Sequence, residues 1–202
     1  WERIREQLVA DVEGLAVGDP TDLSNFLGAV IDDRSFAKQK AAIDRAHATP
    51  GLDVVAGGTY DDSTGWFVRP TLVVADDPTD EMLRTEYFGP VLVLHVFEDG
   101  DAERVTEQLE GFAPYALTGA VFARDPREVA RASATLRFAA GNFYVNDKPT
   151  GAVVGQQPFG GGRASGTNDK AGAASNLLRW TSPRSIKETF VPPTDHRYPH
   201  QG

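Results

Sequence analysis

"LTGAVFARDPREVARASATLRFAAGNFYVN", residues 117–146, reads as strand, helix and strand in close succession. "LTGAVFA" (117–123) is short and apolar. "DPREVARASATLR" (125–137) follows, with Asp125 as a helix N-cap and Pro126 at the first helical position, where its missing N–H is no loss. "GNFYVN" (141–146) returns to strand. Two strands joined by a helix of this length predict a right-handed parallel crossover, and hence an α/β fold.

The flanking segments extend the same alternation. "VLVLHVF" (91–97) is an almost unbroken apolar run, which predicts a strand covered on both faces. "DAERVTEQLEGF" (101–112) reads as the helix after it. Farther upstream, "DDRSFAKQKAAIDRAHATPG" (32–51) is a run of helix formers that stops at Pro50-Gly51. Strands are expected over 52–58 and over "WFVRPTLVVAD" (66–76), where Pro70 marks an edge or a bulge. Ile4, Leu8, Val12 and Leu15 recur at helical spacing from the first residues onward. Towards the C-terminus a helix is expected over about 171–180 and a strand over "RSIKETFV" (184–191). The expected architecture is one α/β unit with a trailing strand.

The 202 residues carry a net charge of −9, with Lys and Arg scattered singly. Such a surface repels phosphate backbones and anionic lipid, so neither nucleic acid nor membrane is expected as a partner. No apolar run approaches the ~20 residues that cross a bilayer, and the expectation is a soluble, cytoplasmic protein. Cysteine is absent, which excludes disulfides, thiolate metal sites and thiol nucleophiles within this chain. A chain that opens at Trp1, inside a helical pattern, reads as the tail of something longer.

Three features could carry chemistry. The glycine-dense "GAVVGQQPFGGGRASGTND" (151–169) fits neither phosphate-loop pattern: no Lys follows its glycines, and Gly160, Gly162 and Gly166 are misspaced for a dinucleotide fingerprint. Glycines do let backbone N–H groups approach a ligand closely, and a carboxylate is a natural guest. His196 and His200 stand four apart, but Pro199 breaks any helix there, so a tail is expected and no metal. His95, inside an apolar strand, reads as a hydrogen-bonded core histidine. In "RTEYFGPVL" (84–92), Glu86 precedes a Phe-Gly-Pro turn at the mouth of a buried strand, where ligands of α/β sheets gather. An ordinary connection is the plain alternative.

"TEYFGPVL" (85–92) together with "GNFYVND" and "QQPFGGGRASGTND" resembles the Glu-x-Phe-Gly-Pro and closing Pro-Phe-Gly-Gly segments of the aldehyde dehydrogenase superfamily. "GDPTDLSNFLGAVIDDRSF" (18–36) is similar to the same family, so the resemblance covers essentially the whole chain. "NDKPTGAVVGQQPFGG" (146–161) is closest to a member acting on L-glutamate γ-semialdehyde. The resemblance implies a cysteine thiolate that attacks an aldehyde, hydride transfer to NAD, and thioester hydrolysis by a Glu-activated water. It implies Glu86 at the nicotinamide ribose with Phe88 packed beside it. It implies Gly151 and Ala152 gripping the substrate carboxylate through their backbone, with Phe159 flanking its aliphatic stem. The catalytic Cys, Asn and Glu are expected N-terminal of Trp1, leaving this chain inactive alone. Residues 1–180 correspond to the C-terminal part of the catalytic domain. Residues 181–202 correspond to an oligomerisation strand and tail, implying a homo-oligomer, dimer or larger. Another semialdehyde as substrate, or a non-catalytic assembly role, are the alternatives.

Overall fold

The computed structural model describes residues 1–149, 151–153 and 155–201. Helix α1 (Arg5–Glu13) buries none of its residues. It is held at its end, where the Glu13 carboxylate accepts the Gly57 N–H at 2.7 Å. Helix α2 (Asp33–Ala48) begins where the Asp32 carboxylate accepts the Ser35 N–H at 2.8 Å. Its buried positions, Phe36, Gln39, Ala42, Ile43 and Ala46, follow the helical repeat and so share one face.

That face covers a sheet. Strand β1 (Leu52–Ala56) is followed by the small hairpin of β2 (Tyr60–Asp61) and β3 (Phe67–Val68), then by β4 (Thr71–Ala75) and β5 (Val91–Leu94). Strand β4 is central, antiparallel to β1 and parallel to β5. Val73 and Met82 pack with Ala42 and Ala46, while Val68 packs with Phe36 and Ile43. Val91 touches both groups and joins them into one core.

In the second half come α3 (Ala102–Glu110), β6 (Tyr115–Ala116), β7 (Thr118–Val121), α4 (Pro126–Thr135), β8 (Asn142–Val145) and β9 (Gly162–Arg163). Strands β7 and β8 are parallel and joined by α4, as residues 117–146 predict. Asp125 caps α4 through the Arg127 N–H at 2.9 Å. Strand β9 returns antiparallel to β6, which brings the glycine segment back to the start of β7.

Four expectations are corrected. The strand over 66–76 is split at Pro70, which cannot donate to a ladder, so Phe67–Val68 pairs with β2 and Thr71–Ala75 with the main sheet. Residues 174–180 form a 3₁₀ turn instead of an α-helix, ending in the exposed Trp180. No strand forms over 184–191, where every residue is exposed, because no other segment of the described chain lies beside it to complete a ladder. Finally, Leu92 of β5 is 55% exposed. The apolar run is therefore not covered on both faces within this chain.

Candidate functional site

The turn carrying Glu86 is built from its anchors outward. Asp80 accepts the Met82 N–H at 2.8 Å and receives a two-pronged contact from Arg45 at 2.8 and 3.1 Å. The Arg45 guanidinium holds the Asp80 carboxyl below the usual carboxylate range. Met82 is buried in the core, and the side chain of Tyr87 packs against the same cluster. Burial pushes the Tyr87 phenol up from its ordinary value.

With Tyr87 turned inward, its two neighbours are left outside: Glu86 is exposed and Phe88 is 82% exposed. Phe88 sits at φ 59°, a left-handed conformation that bulky residues rarely take. The Lys38 ammonium donates to the Glu86 carbonyl, and the Gln39 amide donates to the Tyr87 carbonyl at 2.6 Å. Helix α2 therefore fixes the backbone on which Glu86 is presented.

Glu86 lines a groove together with Phe112, Tyr115, Thr118, Ala139 and Arg163. Arg84 lies over the Phe112 ring at 4.9 Å. The Thr118 hydroxyl donates to the Pro149 carbonyl at 3.3 Å, so the groove reaches the entrance of the loop holding Gly151 and Ala152. Through Glu86 and Arg163 the two motifs that the sequence singles out both contribute to this groove.

That loop is fastened at both ends. At its start Asn146 bonds the Ala123 backbone twice, its amide accepting the N–H at 2.9 Å and donating to the carbonyl at 3.0 Å. At its end Asn142, only 8% exposed, donates to the Pro158 carbonyl at 3.0 Å and accepts the Gly160 N–H at 3.2 Å. Lys170 donates to the Gly141 and Gly160 carbonyls and to Asn142 Oδ1. Phe159, half-buried, exchanges backbone hydrogen bonds with Ala171 at 2.9 and 2.8 Å.

Between the fasteners, Gly151 is exposed, with open space where a Cβ would stand, and Ala152 is half-buried. Neither N–H donates to a described residue.

The glycines divide by purpose. A Cβ on Gly161 would stand 2.4 Å from the Ala116 carbonyl oxygen, so this glycine serves close packing of backbone on backbone. His95, half-buried just past the end of β5, donates its Nδ1–H to the Ala75 carbonyl at 2.9 Å. His200 stacks on Tyr198 with ring centres 5.9 Å apart.

Sequence reading missed Lys38, Gln39, Tyr87, Asn142 and Lys170. One signal was available: Gln39 interrupts the apolar stripe Phe36, Ile43, Ala46, and an amide at a core position needs a partner.

Residues 1–186 match the model of the aldehyde dehydrogenase family. The mitochondrial delta-1-pyrroline-5-carboxylate dehydrogenase of Danio rerio is 47% identical over 201 residues, covering 99% of this chain and 36% of its own length. The enzyme of the same name from Dictyostelium discoideum is 49% identical over 200 residues, with 99% and 36% covered. The crystal structure of delta-pyrroline-5-carboxylate dehydrogenase from Mycobacterium tuberculosis superposes with a TM-score of 0.85 at 58% identity, covering 100% of this chain and 37% of that one. A further structure of the tuberculosis enzyme is bound with NAD. The chain thus spans about 36% of the length of the curated relatives it matches. The expectation of a cytoplasmic protein is corrected here: the Danio and Dictyostelium relatives are named mitochondrial, which points to the mitochondrion. Composition could not reveal this, because it reports solubility and carries no address.

Proposed function

The chain belongs to the aldehyde dehydrogenase family, and from that membership we propose that the enzyme to which it contributes oxidises L-glutamate γ-semialdehyde to L-glutamate with NAD, in proline breakdown. The observation that carries the reading is the groove shared by Glu86 and by Arg163 of the glycine segment, in a chain 47–49% identical to delta-1-pyrroline-5-carboxylate dehydrogenases.

Each residue has a physical task. The exposed Glu86 carboxylate, on a turn pinned from below, accepts hydrogen bonds from vicinal ribose hydroxyls, and Phe88 offers an apolar flank beside it. An acceptor carboxylate beside an apolar flank suits a ribose with its hydroxyls, and a nicotinamide dinucleotide bound there would supply the hydride acceptor. The unengaged N–H groups of Gly151 and Ala152 bind the α-carboxylate of the substrate, and Phe159 walls its methylene stem. The thiol nucleophile lies outside these 202 residues, which hold no cysteine. Residues 1–180 serve as the C-terminal part of the catalytic domain. Ile186, Phe190 and Val191, all strongly exposed, suit a strand that completes a partner subunit's sheet in a homo-oligomer.

Phe159→Ala in the intact enzyme tests the substrate reading. Losing an apolar wall worth about 1.5–3 kcal/mol should raise KM for glutamate semialdehyde roughly tenfold or more. The KM for NAD should stay within about twofold, since Phe159 is not assigned to the nucleotide. An unchanged aldehyde KM would remove Phe159 from the substrate site.

A further inference from the structure

Gln39 is 0% exposed, and its amide oxygen has no hydrogen-bond partner among the described residues. It stands at a position of α2 where Phe36, Ala42, Ile43 and Ala46 supply the core. A buried amide with one end unpaired is a cost that leucine at the same place would not carry. The other end explains its presence: Gln39 Nε2 donates to the Tyr87 carbonyl at 2.6 Å, in the middle of the Glu86–Phe88 turn.

Resting on the assignment of Glu86 to the nicotinamide ribose, we propose that Gln39 is a positioning residue for nucleotide binding, holding the turn so that the Glu86 carboxylate faces its ligand. Three neighbouring features fit this role. Lys38, the adjacent residue of the helix, holds the Glu86 carbonyl, so two successive carbonyls of the turn are tied to α2. Phe88 then takes its left-handed conformation, which persists only where the surroundings enforce it. Gly89 closes the turn directly over the Gln39 amide, where a Cβ would lie 2.4 Å from both Cδ and Nε2. Glycine at 89 and glutamine at 39 are thus two halves of one contact.

The test is calorimetric titration of the intact enzyme with NAD and, separately, with AMP, which lacks the nicotinamide ribose. Gln39→Leu should weaken NAD binding about tenfold, in line with loss of one buried hydrogen bond. AMP affinity and the melting temperature of the nucleotide-free enzyme should change little. Gly89→Ala should weaken NAD binding similarly, by displacing the amide from the other side. Gln39→Ala with Gly89→Ala should be no worse than Gln39→Ala alone, because the truncated side chain makes room for the new methyl group. Glu86→Gln serves as the reference for the underlying assignment. If Glu86→Gln weakens NAD while Gln39→Leu and Gly89→Ala do not, the positioning role is overturned and the Glu86 assignment stands. If Glu86→Gln leaves NAD affinity intact, the ribose assignment itself fails. Equal weakening of NAD and AMP by Gln39→Leu would make Gln39 a general structural residue and overturn the inference.

Discussion

Replacing Gly141 by alanine is expected to cripple substrate binding from a position packed against the loop backbone. A Cβ there would stand 2.1 Å from the Gly160 carbonyl oxygen and 2.5 Å from the Gly161 Cα. Both are backbone, so no side chain can swing aside. The loop end must move instead, and Phe159 moves with it. The displacement also strains the contacts from Asn142 and Lys170 that hold residues 158–160. A shift of about 1 Å at a positioned group can cost ~10²-fold in activity. The expected result is a rise of that order in KM for the semialdehyde, together with a lower melting temperature. Gly162→Ala is the control, because a Cβ at Gly162 meets nothing within 4 Å. If Gly141→Ala and Gly162→Ala behave alike in steady-state kinetics, the loop is not held by this contact.

The largest effect on stability is expected at Ile43. It is 0% exposed and packs with Phe36 and Val68 where α2 meets the sheet. Truncation to alanine leaves a cavity that this mixed helix–sheet contact can fill only in part. The cost should be about 2–5 kcal/mol, against about 0.5–1.5 for Ile43→Val. Arg34→Ala on the same helix, whose side chain is 88% exposed, should stay within about 0.5 kcal/mol. Denaturant titration of the three variants checks the order. A loss below about 1 kcal/mol for Ile43→Ala would show that α2 is not seated as described.

Much of the architecture was legible because its signals are local. Asp125 and Pro126 mark the start of α4 by cap chemistry that needs no tertiary partner. The helix expected over 32–51 forms as α2, Asp33–Ala48, since Asp32 and Pro50-Gly51 are punctuation of the same kind. Pro70 signals a disturbance locally, but that it divides the strand between two ladders depends on where the hairpin folds back. Residues 184–191 show the opposite limit. Their pattern is that of a strand, yet a strand exists only against a neighbour, and the described chain offers none.

The site divides in the same way. Glu86 and Phe159 stand out because the motifs around them are short and unusual in composition. Gln39, Asn142 and Lys170 do not, because each acts on backbone far along the chain: Gln39 on residue 87 (48 positions away), Asn142 on residue 160 (18), and Lys170 on residue 141 (29). Helical periodicity hints at Gln39 alone. The sequence offers the glycines of 151–169 as places where backbone N–H groups approach a ligand, whereas Gly161, and Gly141 ahead of the segment, serve backbone packing. Composition cannot tell these purposes apart, because both need a missing Cβ.

The central claim is the substrate: an aldehyde whose carboxylate is caught by Gly151 and Ala152 and whose stem passes Phe159. Succinate semialdehyde is the sharpest comparison, since it carries the same two functional groups on a chain one carbon shorter and lacks the amino group. With its carboxylate caught, its aldehyde would fall short of the reacting position by about one bond. The decisive measurement is kcat/KM of the intact enzyme for both aldehydes at saturating NAD. A preference for L-glutamate γ-semialdehyde of about 10²-fold or more is the predicted result. Equal or reversed values would contradict the assignment and move the enzyme to another semialdehyde.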